Sequence, residues 1–205
     1  MEYFKERDVT RASLTQVARE TVFWQILDAL KHLYGRNIIH RRIKPQHILV
    51  QTNPPFRAAL TGFELATKLS PRGTIQFGPS DAIYGAPEFL PDIASSYDIK
   101  ADIWSLGVVA IQLLYGLPTA PPEPPLLPVL DPTLTQWQYY MVLWQGFLKA
   151  RLPSVEQSVV AGIVAEMIEL RRANRWDVIL CLQHGRSLGL TVKKDGQLFA
   201  ANHRP

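Results

Sequence analysis

Between residues 14 and 34 the apolar side chains fall on one helical face: Val22, Ile26, Leu30 and Leu33 recur every three or four positions. Ser13-Leu14-Thr15-Gln16 has the spacing of a capping box, in which a hydroxyl and an amide cap the first turn reciprocally, and Gly35 follows as a stop signal. The pattern predicts an amphipathic helix over about 14–34. Beyond it the period changes. Ile38-Ile39 precede a basic loop, 40–47, and the short apolar run Ile48-Leu49-Val50 is closed by Asn53-Pro54-Pro55, which predicts a small hairpin with its second strand near 58–61. Residues 67–82 mix Gly, Pro, Ser and Thr with few apolar positions and read as a long loop, functional or a plain surface excursion.

The most apolar stretch, 103–117, predicts a helix hydrophobic on nearly every face. It contains Ser105, Gly107, Gln112 and Gly116 and falls short of the roughly 20 apolar residues of a membrane span, so it reads as the central post of a helical domain. Seven prolines follow within 118–132, a segment that predicts extended polyproline and a stiff connector, with docking to an SH3 or WW domain as the weaker use. Three more helices are expected at about 135–150 (Trp137, Met141, Trp144, Leu148), 155–171 (Val159, Ile163, Met167, Leu170) and 175–183 (Val178, Leu182). A final alternation over 190–201 surrounds Asp195-Gly196, a strong hairpin-turn signal.

Composition narrows the classes. The 205 residues are 47% hydrophobic, with 22 Lys plus Arg against 18 Asp plus Glu, ordinary for a globular chain and too mildly basic to imply nucleic acid or membrane. One cysteine, Cys181, excludes a disulfide framework or a Cys-based zinc cluster, and its helical neighbours Ile179, Leu180 and Leu182 predict a buried, inert thiol. His40 and His184 have no second ligand at metal spacing and read as structural. The charged N-terminus is unlike a signal peptide, so an intracellular protein, cytoplasmic or nuclear, is expected.

Four segments, in order, carry the chemical argument: Ile39-His40-Arg41-Arg42-Ile43-Lys44-Pro45-Gln46-His47-Ile48-Leu49; Leu60-Thr61-Gly62-Phe63-Glu64-Leu65-Ala66; Tyr84-Gly85-Ala86-Pro87-Glu88; and Asp98-Ile99-Lys100-Ala101-Asp102-Ile103-Trp104-Ser105-Leu106-Gly107. They resemble H-R-D-x-K-P-x-N, D-F-G, A-P-E and the D-x-W-S-x-G start of the central helix in eukaryotic protein kinases. The resemblance covers about residues 1–184 and implies a mainly α fold similar to the large, C-terminal lobe of that family, with short β-hairpins. Residues 185–205 form a C-terminal hairpin tail outside it. Met1-Glu2-Tyr3 looks like the family's hinge, so the small N-terminal lobe, with its Gly-rich loop and phosphate lysine, is expected to be absent.

Phosphoryl transfer needs a carboxylate near the substrate hydroxyl and oxygen ligands for magnesium. By the resemblance all three positions are substituted. Arg42 stands where the base should be and cannot accept a proton at neutral pH. His47 replaces a metal-binding Asn, a poor exchange for hard Mg²⁺. Gly62 replaces the metal-binding Asp, and Glu64, two residues on, lies about 6–7 Å from the usual ligand position in extended chain. Scaffold positions are kept: His40, Arg41, Lys44, Phe63, Ala86, Pro87, Trp104 and Gly107, with Asp102 expected to hold the backbone at His40 and Arg41, and Glu88 expected to pair with Arg175.

The resemblance implies a pseudokinase: a catalytically inactive, kinase-like interaction or scaffold module, expected to use no ATP or Mg²⁺. A protein partner, self-association or another chain is expected at the exposed hinge face. Two alternatives stand beside it. One is a truncated serine/threonine kinase. The other is an anion-binding module using Arg41, Arg42, Lys44 and His47, with Arg36 just before them. Asp81 occupies the place of the usual threonine that serves peptide substrates, and Arg41 makes Ser70, Thr74 and Ser80 candidate phosphorylation sites, unless it only neutralises nearby acids.

Overall fold

Every residue from 101 to 111 is buried, which makes helix Lys100–Tyr115 the centre of the core. The computed structural model describes residues 8–69, 83–89, 98–121 and 135–202. In chain order these form α1 (Gln16–Tyr34), β1 (Ile38–Ile39), β2 (Ile48–Gln51), β3 (Arg57–Leu60), β4 (Thr67–Lys68), α2 (Lys100–Tyr115), α3 (Gln136–Arg151), α4 (Val159–Met167), α5 (Val178–Ser187), β5 (Thr191–Lys194) and β6 (Gln197–Ala200). Single 3-10 turns at Pro45–His47, Phe63–Leu65 and Pro87–Phe89 carry three of the four motifs. Among the described residues no helix is long and apolar enough to cross a membrane.

Helix ends depart from the sequence reading where local caps decide them. Thr15, not Ser13, caps α1, its hydroxyl accepting from the Ala18 N–H at 3.2 Å. Helix α2 starts three residues before the predicted 103 and stops at Tyr115, because Gly116 takes φ +82° and breaks the helical path. The capping box of α3 is Thr135 with Gln138. Helix α4 is shorter than 155–171: Ser158 caps it at Ala161, and Val155 lies in the preceding turn, 60% exposed. Helix α5 begins at Val178 because Asp177 accepts from the Leu180 N–H at 2.9 Å, so Arg175 precedes the helix instead of opening it. The same helix runs to Ser187, past the division expected after 184.

Among the described residues, three two-stranded antiparallel sheets flank the helices. β2 pairs with β3 in the register Ile48↔Leu60 to Gln51↔Arg57. β1 pairs with β4, so the start of the predicted loop 67–82 is strand: Ile39 meets Thr67. β5 and β6 turn through Asp195 (φ +48°) and Gly196 (φ +79°), the two consecutive positive angles of a type I′ hairpin. This hairpin lies on α1. Leu198, Phe199 and Ala200 are buried, and the Ala200 N–H donates to the Thr21 hydroxyl at 3.1 Å.

Two glycines permit close helix approach. A Cβ on Gly107 would fall 2.8 Å from Ile168 Cγ2 and 3.1 Å from Met167 Cβ, so α2 and the end of α4 touch at backbone distance. A Cβ on Gly185 would fall 2.4 Å from Trp24 Cη2, which lets the buried indole of α1 lie against α5.

Candidate functional site

The loop between β1 and β2 hangs from one buried carboxylate. Asp102, in the first turn of α2, accepts from the His40 N–H at 2.7 Å through Oδ2 and from the Arg41 N–H at 2.8 Å through Oδ1. Arg41 meets this geometry at φ +70°, a left-handed backbone conformation unusual for a residue with a long side chain. Burial pushes the Asp102 carboxyl up to about 7, against the opposing pull of the two N–H bonds and the Arg41 guanidinium.

His40 is buried and uses both ring nitrogens. Its Nδ1 accepts from the Arg42 N–H at 3.2 Å, so Nε2 carries the proton and donates to the Thr61 carbonyl at 2.8 Å. Burial lowers its affinity for a second proton, more than the Thr61 bond raises it. The Phe63 ring stands edge-on to it, centroids 4.8 Å apart, although Phe63 itself is 45% exposed.

Arg42, His47 and Gly62 meet around the same loop. The carbonyl of Arg42 accepts from His47 Nδ1 at 2.8 Å. The His47 carbonyl in turn accepts from the Thr61 N–H at 2.9 Å and its hydroxyl at 3.3 Å, which ties the loop to the end of β3. Gly62 follows with φ +78° and ψ 43°. A Cβ there would lie 2.5 Å from His47 Nδ1 and 2.6 Å from its Cγ, so the imidazole occupies the space that a side chain at 62 would need. Lys44 enters the 3-10 turn and its carbonyl accepts from the His47 N–H at 2.9 Å. Glu64 lies in the first turn of Phe63–Leu65 and is exposed.

The second anchor is an ion pair. Arg175 donates to Glu88 Oε1 at 2.7 Å and Oε2 at 2.9 Å, to the carbonyls of Lys100 and Glu169 at 2.8 and 2.9 Å, and to that of Leu170 at 3.4 Å. These five bonds match the five N–H donors of a guanidinium. The side chain of Arg175 is 0% exposed, that of Glu88 10%, and the Arg175 fork lies 5.2 Å from the Trp104 ring centroid. Ala86 is buried and Pro87 half-buried beside it. The stretch ahead of Glu88 is pinned from both sides: Ser105 donates to the Tyr84 carbonyl at 2.8 Å, Tyr84 to Gln112 at 2.7 Å, and Trp144 Nε1 to the Ile83 carbonyl at 2.9 Å.

Other expectations scatter. Arg36 turns back to His32 on α1 and leaves the loop 40–47. His184 is exposed and lies against Trp176, centroids 5.1 Å apart, and burial pushes the Cys181 thiol up to about 12. Ser70, Thr74, Ser80, Asp81, the N-terminal residues 1–7 and the proline segment from 122 onward lie outside the described residues. Among the described residues no group of three or more His, Cys, Asp or Glu is placed to hold a metal ion. Thr61 and Tyr84 are the residues that sequence reasoning missed. Each accepts through its backbone carbonyl, which carries no residue-type signal, and each also donates through its hydroxyl, Thr61 to the His47 carbonyl and Tyr84 to Gln112.

Comparison with known proteins agrees with this architecture. The sequence model of the protein kinase domain matches residues 1–185. An Aurora kinase of Yarrowia lipolytica is 27% identical over 166 residues, 79% of this chain and 39% of that protein. The serine/threonine-protein kinase ATG1c of Arabidopsis thaliana is 37% identical over 122 residues, 57% of this chain and 16% of its own length. The serine/threonine-protein kinase ULK3 of Homo sapiens is 32% identical over 109 residues, 53% of this chain and 23% of its own. The chain therefore spans less than two-fifths of each of these relatives. By the match over residues 1–185, it belongs to the protein kinase domain family.

Proposed function

We propose that this chain is a kinase-like large lobe without phosphoryl-transfer activity that works as a protein-interaction module inside the cell. The observation that carries this is the shared volume of His47 and Gly62. Both positions hold metal ligands in the family pattern, and here the imidazole fills the space that a carboxylate side chain at 62 would enter. A third departure, Arg42, supplies a permanent cation where transfer needs a proton acceptor. The Asp102 and Glu88–Arg175 anchors preserve shape, which is what binding a partner requires. The proline segment 118–132 is a further proposed contact for an SH3 or WW domain.

A second reading follows from coverage of the relatives: a piece of a longer serine/threonine kinase, whose small lobe is encoded elsewhere. Such a protein would still carry Arg42, His47 and Gly62. The test is a transfer assay with labelled ATP and a generic basic protein substrate, paired with melting curves in ATP with Mg²⁺ and in ATP with EDTA. A ligand held only by the folded state raises the melting temperature. The expected result is no transfer and no Mg²⁺-dependent rise; transfer, or a rise that requires Mg²⁺, overturns the proposal.

A further inference from the structure

Apart from the loop 40–47 and its anchors, a cleft of about 320 Å³ opens between α1, the start of β3 and the turn of the last hairpin. Three hydrogen-bonded links tie these elements to one another. The Gln25 side chain of α1 accepts from the Ala58 N–H of β3 at 2.7 Å. The Gln197 amide of β6 donates to the Phe56 carbonyl at 3.2 Å and accepts from Arg57 Nε at 2.6 Å and Nη2 at 3.3 Å. The Ala200 N–H, on the Thr21 hydroxyl, joins β6 back to α1. The walls are therefore held by the fold itself, as in a pre-formed ligand site.

The charges of the cleft stand on different walls. Asp28 of α1 lines it and is half-buried, and among the described residues its carboxylate has no hydrogen bond or ion pair. Arg57 of β3 brings the opposite charge. A ligand with a single charge of either sign meets one like charge here, whereas a molecule holding an ammonium and a carboxylate meets an opposite charge at each end. Ala29, Ala58, Ala59 and Leu198 give the cleft an apolar lining as well. Its volume stands at the low end of the roughly 300–1,000 Å³ of ligand clefts, which suits a small molecule.

We infer that this cleft binds a small aliphatic zwitterion of the α-amino-acid class, its ammonium on Asp28 and its carboxylate toward Arg57. The inference goes beyond the proposed function and holds whether or not the chain transfers phosphate.

Titration of the whole chain with L-leucine, followed by calorimetry and by backbone amide NMR shifts, tests it. The expected result is saturable binding, with shifts centred on residues 25–32, 57–59 and 196–198. 3-Methylbutylamine is leucine without its carboxylate, and 4-methylpentanoate is leucine without its ammonium. Each should bind weaker than leucine by about tenfold or more, the loss of one charge-assisted contact. Asp28→Asn should weaken leucine binding by a similar factor with the ligand-free melting temperature unchanged, because the Asp28 carboxylate holds nothing in the fold. No saturable binding of leucine, equal binding by the wild type and Asp28→Asn, or an analogue that binds as tightly as leucine overturns the inference.

Discussion

The imidazole of His47 and the missing side chain of Gly62 occupy the same volume: a Cβ at 62 would lie 2.5 Å from His47 Nδ1, well inside any real contact. The two residues are therefore coupled, since a histidine at 47 in this rotamer requires a glycine at 62.

That coupling can be measured. Gly62→Ala should destabilise the chain by about 1–3 kcal/mol, from overpacking against the ring and from the positive φ. In Gly62→Ala combined with His47→Ala the overpacking part should disappear, giving a coupling energy of about 0.5–3 kcal/mol in urea unfolding. Additive costs would mean that the ring moves aside freely.

The Glu88–Arg175 pair is buried, bidentate and shared with three carbonyls. Removing one partner strands a charge in the core, so Glu88→Ala should cost about 3–5 kcal/mol. Arg175→Lys should cost nearly as much as a deletion, because an ammonium has three donors on one nitrogen and cannot serve five acceptors. A loss below about 1 kcal/mol in equilibrium unfolding for either variant would show that water reaches the site.

His40 should be neutral at pH 7 with its proton on Nε2, a tautomer that nitrogen NMR reads directly. Its proton affinity is lowered in the folded state, so the folded chain binds fewer protons here than the unfolded one. The associated stability is present above the ordinary value of 6.5 and is lost as pH falls through the lowered folded value. Asp102 acts in the opposite sense, its contribution being present below 3.8 and lost as pH rises through about 7. The His40 part is isolated by comparison with His40→Asn, whose amide oxygen can still accept from the Arg42 N–H. The stability advantage of the wild type over this variant should shrink below pH 6.5, and a difference flat in pH would contradict the assignment.

The C-terminal hairpin should contribute to the stability of the whole unit. Phe199 is buried against α1, and Phe199→Ala should cost about 3–5 kcal/mol, the usual price of a large core truncation. Thr21→Val, which removes the acceptor of the Ala200 N–H, should cost about 1–3 kcal/mol. If both variants unfold like the wild type, the hairpin is an appendage and α1 has another cover.

Much of the architecture was legible along the chain because periodicity is local. The stripe Val22, Ile26, Leu30, Leu33 marked α1, and Asp195-Gly196 marked the last hairpin. Helix ends were less legible, since several hydroxyls compete to cap: Thr15 prevailed over Ser13, and Ser158 opened α4 three residues after Val155. The pairing of β1 with β4 was hidden because each strand is two residues long and the partners lie about thirty positions apart.

The sequence by itself determined which chemical groups stand at the motif positions: Arg42, His47 and Gly62 where the resemblance to kinases leads one to expect a base and metal ligands, and Asp102, Glu88 and Arg175 where it leads one to expect the scaffold. Residue identity is enough there, because a guanidinium cannot accept a proton and a glycine has no ligand atom. Only the tertiary structure decided how those groups relate. That the His47 ring fills the space above Gly62, that His40 spends both nitrogens on backbone groups, and that Arg175 serves Glu88 and three backbone carbonyls at once are facts of distance that the folded chain sets. No local pattern encodes them, because packing of α2 against the loop it anchors fixes those distances.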